Sequence, residues 1–398
     1  MTDLIRIGAA FALIVVLLRR RWNLGLVMLL GSFFLGALYR IGPVRQAGVI
    51  LRSSADMVTV NLVTGLVLIM VLENIIRKRG VLKRMMEAVV NVARDRRIAM
   101  AVLPAVIGLL PSAGGAAFSA PMVQETATDT DITPERKAFI NYWFRHIWEY
   151  ILPLYPGIVL AAAVTKTPVN KLLLSQLPLP LAVVCVGALL GFPGMKRQVI
   201  AGKRDREEIK ALFLTLLPIT ISLVLVIVFK LPLSLAMASV VSAMLLFYRY
   251  SMSELKTTLR ESVSLNVVLM VIGIMVFKGM LDASGAIEAL PVFFHQSGLP
   301  TGAVLFALPF IVGLLTGLTV GFVGATFPII TAMLGGQPDI GAVTFAFASG
   351  FAGVMLSPTH LCLLLTIRYF NADMARTYRL MYVPVFLVFL VGLVRLWI

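Results

Sequence analysis

Runs of roughly 20 apolar residues alternate along the chain with short polar loops, the pattern of helices that span a bilayer. The runs lie near 4–18, 23–39, 57–76, 139–163, 172–191, 211–229, 232–248, 262–281, 341–367 and 379–397. Two more apolar stretches are interrupted. Residues 98–122 contain Pro104, Pro111, Gly114, Gly115 and Pro121, and residues 300–333 contain Pro309, Gly313, Gly317, Gly321, Gly324 and Pro328. Hydropathy alone fits either a span or a re-entrant hairpin at both places.

Charge separates the two. If both stretches are hairpins that leave on the side they entered, the loops 19–21, 77–97, 124–138, 195–210, 249–260 and 368–379 share one side and carry 25 Lys and Arg residues. The other side carries eight: Arg6, Arg40, Arg45, Arg52, Lys166, Lys171, Lys230 and Arg395. A single span at 98–122 would move the basic loop 195–210 outside, against the positive-inside bias. The expected fold is an all-α polytopic membrane protein of about ten transmembrane helices plus two re-entrant hairpins, in the cell (inner or plasma) membrane with both termini outside.

The two halves share a pattern. An ungapped offset of 205 residues pairs Asn61 with Asn266, Ile69-Met70-Val71 with Ile274-Met275-Val276, and Gly80 with Gly285. It goes on to pair Leu103-Pro104 with Leu308-Pro309 and Gly108-Leu109-Leu110 with Gly313-Leu314-Leu315. With five spans and one hairpin in each half, the second copy runs upside down relative to the first. The expected organisation is an inverted repeat at 1–194, a basic cytoplasmic connector at 195–210 and a second repeat at 211–398. Before the first hairpin, Val81, Leu82, Met85, Met86, Val89 and Val90 share a face, as in a helix lying in the interface. Residues 283–297 hold the equivalent place.

Composition agrees. The 398 residues are 59% hydrophobic and 14% charged. The net charge of +16 sits in short loops, where it sets topology, so the expected partner is the lipid bilayer and not nucleic acid. Arg19-Arg20-Arg21 follow the first apolar run, the reverse of a signal peptide, so that span is expected to be retained. Cys185 and Cys362 lie inside apolar runs without metal-ligand spacing and read as packing residues.

Candidate chemistry gathers at the breaks. Non-helical backbone at membrane depth is tolerated where it is buried in protein or lines a cavity. The first tip offers Ser112, Gly114, Gly115 and Ser119, and the second Thr316, Gly317, Thr319 and Thr326, as ion or substrate ligands. Tight helix packing is the alternative, since Gly313, Gly317 and Gly321 also form a small-residue series. Asn61 and Asn266 either complete paired cation sites or hydrogen-bond between helices. Pro153, Tyr155 and Pro156 in one long run, and Ser357, Pro358, Thr359 and His360 in another, predict two broken helices whose freed carbonyls need partners. Arg145, His146 and Glu149 are ionisable residues within a span and so candidates for an anion or proton role. Arg145 and Glu149 also have the spacing of a simple pair, and Arg145 that of a snorkelling side chain. His146 and Glu149 form a single His-x-x-Glu, and with no second such set no metal beyond a possible Na⁺ is expected. Glu73 and Lys278 read as snorkelling side chains near span ends. No Walker loop, His-Glu-x-x-His or Gly-x-Ser-x-Gly is present, so an enzyme is not expected.

The segments Leu110-Pro111-Ser112-Ala113-Gly114-Gly115, Phe118-Ser119-Ala120-Pro121 and Leu356-Ser357-Pro358-Thr359-His360-Leu361-Cys362, with the order of spans, resemble the ion transporter superfamily. Within it the chain is most similar to an uncharacterised prokaryotic branch related to gluconate, C4-dicarboxylate, citrate and divalent-anion permeases. The resemblance covers essentially the whole chain. It implies a scaffold domain, a transport domain that moves as an elevator, and often a homodimer. It also implies one half-site of Ser112, Gly114 and Gly115 with Pro153 to Tyr155. The other would use Thr316, Gly317 and Thr319 with Ser357, Pro358 and Thr359. The Ser-Asn-Thr hairpin signature of the dicarboxylate carriers is not in this sequence. The expected function is secondary transport of a small anion, a carboxylate first, coupled to Na⁺ or H⁺. A cation/proton antiporter and a non-transporting membrane scaffold or complex subunit are the alternatives.

Overall fold

The computed structural model describes residues 2–93, 95–111, 115–128, 131–195, 206–285, 291, 298–336 and 338–397. Among them every regular element is a helix. Five stretches, Met57–Lys78, Val169–Gly191, Arg206–Ile227, Leu265–Ala283 and Met374–Val394, are long and apolar enough to cross a membrane. Leu246, Phe247, Leu189 and Trp397 are among the large apolar side chains that stay outside the core, as lipid-facing side chains do. The protein is a helical membrane protein.

The first half runs α1 (Thr2–Arg19), α2 (Leu24–Leu38), α3 (Pro43–Ala55), α4 (Met57–Lys78), α5 (Val81–Val92), α6 (Arg96–Ile107), α7 (Ala116–Thr126) and α8 (Pro134–Arg145). A 3₁₀ turn at Ile147–Tyr150 follows, then α9 (Pro156–Val164), α10 (Val169–Gln176) and α11 (Pro178–Gly191). The second half runs α12 (Arg206–Ile227), α13 (Leu233–Phe247), α14 (Met252–Ser262), α15 (Leu265–Ala283), α16 (Thr301–Thr316), α17 (Thr319–Met333), α18 (Ile340–Met355), α19 (Leu361–Phe370) and α20 (Met374–Arg395). Both long runs expected to break do so. The run 139–163 is divided between α8 and α9, and the run 341–367 between α18 and α19.

Local chemistry sets the ends. Asp56, Asp95, Thr133 and Asp373 cap α4, α6, α8 and α20 by accepting from N–H groups of the first turn. Ser251 and Glu254 form a reciprocal capping box on α14, and the Ser251 backbone N–H is the main reason the Glu254 carboxyl sits below its ordinary range. Gly80 and Gly285, paired in sequence, both take positive φ just past α4 and α15 (70° and 76°). The apolar face expected on 80–93 is found on α5, where Val81, Met85, Ala88 and Val89 are buried and the helix rests on α6 and α12. Its counterpart at 283–297 lies almost wholly outside the described residues.

Packing partners are exchanged between the halves. α2 packs on α15 and α13 on α4. α9 packs on α17, and α19 on α7. Each half therefore completes itself with elements of the other. Several seams are drawn to backbone distance by glycine. A side chain at Gly313 of α16 would run into the carbonyl of Gly350 in α18, and one at Gly353 into that of Phe310. The small-residue reading of Gly313 is thus correct, whereas Gly317 serves a turn. Gly313→Val should force α16 and α18 apart at a cost of about 1–3 kcal/mol, the range for overpacking. Gly302→Ala, whose added methyl meets an ordinary 3.5 Å contact with Leu396, should be neutral. Thermal unfolding of the two purified variants in detergent reads the difference.

Candidate functional site

The two helix breaks meet in the interior. α8 ends at Arg145, and the chain passes through the 3₁₀ turn before α9 restarts at Pro156, whose missing N–H costs nothing at a first helical position. α18 ends at Met355, and α19 restarts after the bend Ser357-Pro358-Thr359 with His360 at its N-cap. Between them lie four ionisable side chains withdrawn from solvent: Arg145 (2% exposed), His146 (1%), Glu149 (7%) and His360 (7%). Snorkelling does not describe Arg145.

The hydrogen bonds are specific. His146 Nε2 lies 3.2 Å from His360 Nε2 and 3.6 Å from Glu149 Oε1. The Thr319 hydroxyl, at the first residue of α17, donates to Glu149 Oε2 at 2.8 Å. Gly157 in the first turn of α9 faces Thr319 so closely that an added methyl would sit 2.5 Å from its Cγ2. The N-termini of α9 and α17, one from each half, therefore meet beside the Glu149 carboxylate. Helix N-termini favour negative charge.

The breaks are held by side chains that serve freed carbonyls. Tyr155 donates to Gly108 at 2.6 Å, and Trp148 to Ala105 at 2.7 Å. Tyr142 donates to Met355 at 3.2 Å and Thr359 to Leu315 at 3.3 Å. Asn141 donates to the Ala116 carbonyl at 3.1 Å and to the Thr366 hydroxyl at 3.0 Å, tying α7, α8 and α19 together. Gly317 takes φ of 63° with its Cα against the His360 backbone, which fixes the turn between α16 and α17.

The expected residues distribute unevenly. Tyr155, Thr319, His146, Glu149, His360 and Arg145 come together. Ser357 and Thr359 share a 2.9 Å hydrogen bond in the second bend, where Pro358 is exposed. Pro153 lies buried in the first break. Thr316, Ser119 and Thr326 spend their hydroxyls on carbonyls of Val312, Ala116 and Phe322 within their own helices. Gly115 caps α7, while Ser112 and Gly114 lie outside the described residues. Of the two readings of Asn61 and Asn266, the interhelical one fits. Asn61 Oδ1 accepts from the Ser234 N–H at 3.1 Å and from its hydroxyl, and Asn266 Oδ1 accepts from Asn23 at 3.0 Å. These bonds run to α13 and α2, away from the breaks.

Asn141, Tyr142 and Trp148 are contributors not singled out from sequence, and Cys362 reads there only as a packing residue. Asn141 could have been, as a polar residue one helical turn before Arg145 in an apolar run. Glu73 also lies at a cavity. With Arg77, Leu110, Pro111, Phe118 and Pro156 it borders a cavity of about 480 Å³ that reaches the first tip and the first break. A second cavity of about 460 Å³ lies at the other end of the α4–α15 pair, beside Asp56, Lys166 and Lys278.

Over residues 5–398 the chain matches the model of a family described as Protein of unknown function (DUF401). No curated protein matches it.

The Thr319–Glu149 bond joins the halves, and its loss leaves a buried carboxylate oxygen without that donor. Thr319→Val should therefore destabilise the protein by about 1–3 kcal/mol. Thr326→Val, which removes only a bond within α17, should cost less. Denaturant or thermal unfolding of both variants decides the order.

Proposed function

The chain belongs to the DUF401 family, and we propose that it is a secondary active transporter of a small anion, a carboxylate first, driven by Na⁺ or H⁺. The observation that carries this reading is the seat of Glu149. A carboxylate rests where N-termini of half-helices from both halves meet, takes a hydrogen bond from Thr319, and lies within electrostatic reach of Arg145. A site that accommodates the protein's own carboxylate has the donors and dipoles for a solute carboxylate.

The surroundings support transport over simple binding. The exchanged packing partners and the shared order of elements fit two inverted repeats, at 1–194 and 211–398 around the connector. About ten spans with two hairpins, and both termini outside, remain the reading of the charge pattern. The C-terminal half of α4 and the N-terminus of α15 line the first cavity, while the N-terminus of α4 and the C-terminal half of α15 line the second. Two cavities at opposite ends of one antiparallel pair suit alternating access, and each is large enough for a small solute. An elevator fits as well, since α6–α9 and α16–α19 form one interlocked group around the breaks.

Thermal stability of the purified protein against a panel of small carboxylates, in NaCl and in choline chloride, tests the reading. At a concentration 100-fold above Kd, a true substrate adds about 2.7 kcal/mol of stability. Thr319→Ala and Arg145→Gln should reduce that gain. In proteoliposomes the same carboxylate should accumulate only under a Na⁺ or H⁺ gradient. Uptake that is unchanged without either gradient would refute coupling. A Na⁺ response with no anion response would select a cation/proton antiporter, and no solute flux at all would select the scaffold.

A further inference from the structure

We propose that His146, His360 and Cys362 form a binding site for a transition-metal ion of the zinc class that bridges the two helix breaks. Their ligand atoms (one imidazole nitrogen from each histidine and the Cys362 sulfur) all lie within 4.8 Å of one another, and all three residues are buried. The sequence presents these ligands 214 positions apart, and the fold brings them together.

The histidine geometry is the first reason. His146 Nδ1 lies 2.6 Å from the Tyr142 carbonyl oxygen, and His360 Nδ1 lies 3.3 Å from that of Val354. A carbonyl only accepts, so each Nδ1 carries the proton and each neutral ring presents a lone pair at Nε2. Those lone pairs face each other at 3.2 Å and repel unless a cation lies between them. Metal-bound imidazoles commonly donate their other N–H to a carbonyl in this way. With metal–nitrogen bonds of about 2.0–2.1 Å, two nitrogens of a tetrahedral site stand roughly 3.3 Å apart.

The third donor selects a metal over a shared proton. Cys362 follows His360 by two residues in the first turn of α19, and its sulfur joins the same cluster. Imidazole and thiolate together suit zinc and its neighbours, not Mg²⁺ or Ca²⁺. On binding, the S–H proton leaves to solvent as the metal–sulfur bond forms. Glu149 Oε1, 3.6 Å from His146 Nε2, is the nearest candidate for the fourth position. Tyr142 lies edge-on to both imidazoles, with centroids 4.6 and 5.3 Å away, so the ligand rings are held before the ion arrives.

The test needs no transport assay, so it can fail or succeed independently of the transporter reading. The full-length protein, stripped with chelator in detergent, is titrated with Zn²⁺ in competition with a chromophoric indicator, and separately with Co²⁺. One Zn²⁺ should bind per chain, and Mg²⁺ should not compete. Co²⁺ should give a thiolate-to-metal charge-transfer band. Cys362→Ser should abolish that band, and His360→Gln should weaken Zn²⁺ at least tenfold, while Cys185→Ser, at an exposed cysteine, should change neither. Absence of stoichiometric Zn²⁺ in the wild type, or a Co²⁺ band that survives Cys362→Ser, would overturn the site. The wild-type titration stands even if a variant fails to fold.

Discussion

Backbone groups freed by a broken helix in an apolar interior have no water to turn to, and most of what is distinctive in this structure follows from that constraint. The interruptions leave carbonyls at Ala105, Gly108, Leu315 and Met355. Each is met by a side-chain donor: Trp148, Tyr155, Thr359 and Tyr142 in turn. The polar residues of the interior are therefore mostly committed to backbone. Beside the breaks, the Nε2 faces of two histidines, the Cys362 thiol and the Glu149 carboxylate with its Thr319 donor gather in one buried cluster.

The same constraint explains the glycines. A donor reaches a freed carbonyl only if the elements that carry them come close. Close approaches occur where Gly108 meets the Arg145 carbonyl, Gly157 meets Thr319 and Gly317 meets His360. Each brings the interrupted stretch 98–122 or 300–333 against a break. Most of these donors come from the same half as the carbonyl they serve, and Tyr142 to Met355 crosses between the halves.

Much of this is legible in the sequence, because interruption has a composition. Pro153, Pro156 and Pro358 mark the two breaks, Gly317 marks the second turn, and the offset of 205 residues marks the shared order of elements. Helix-face periodicity gives the buried side of α5. What is not legible is which polar residue serves which carbonyl, because that depends on how the ends of separate helices meet in the fold. Asn61 and Asn266 have the paired spacing of a site, yet their partners are Ser234 and Asn23 on neighbouring helices. Cys362 has the surroundings of a packing residue and Asn141 those of an unremarkable polar residue. Only three-dimensional proximity to His146 and Thr366 gives them roles.

The proposed metal and the proposed anion make compatible demands on movement. His146, His360 and Cys362 all belong to the broken helices, so an ion held by them adds a bond inside that group and none to α2, α4, α13 or α15. The helices around α4 and α15 have their own tight seams: a side chain at Gly25 of α2 would strike the α15 backbone, and one at Gly65 of α4 would strike Leu233. Two internally locked groups meet along contacts such as α4 with α9 and α15 with α17. A rigid displacement of one group past the other would then leave both the metal ligands and the Thr319–Glu149 contact intact. Such a displacement would carry the anion seat as a unit from one cavity toward the other. Were the ligands split between the groups, the ion would resist that motion, and metal binding and transport would oppose each other.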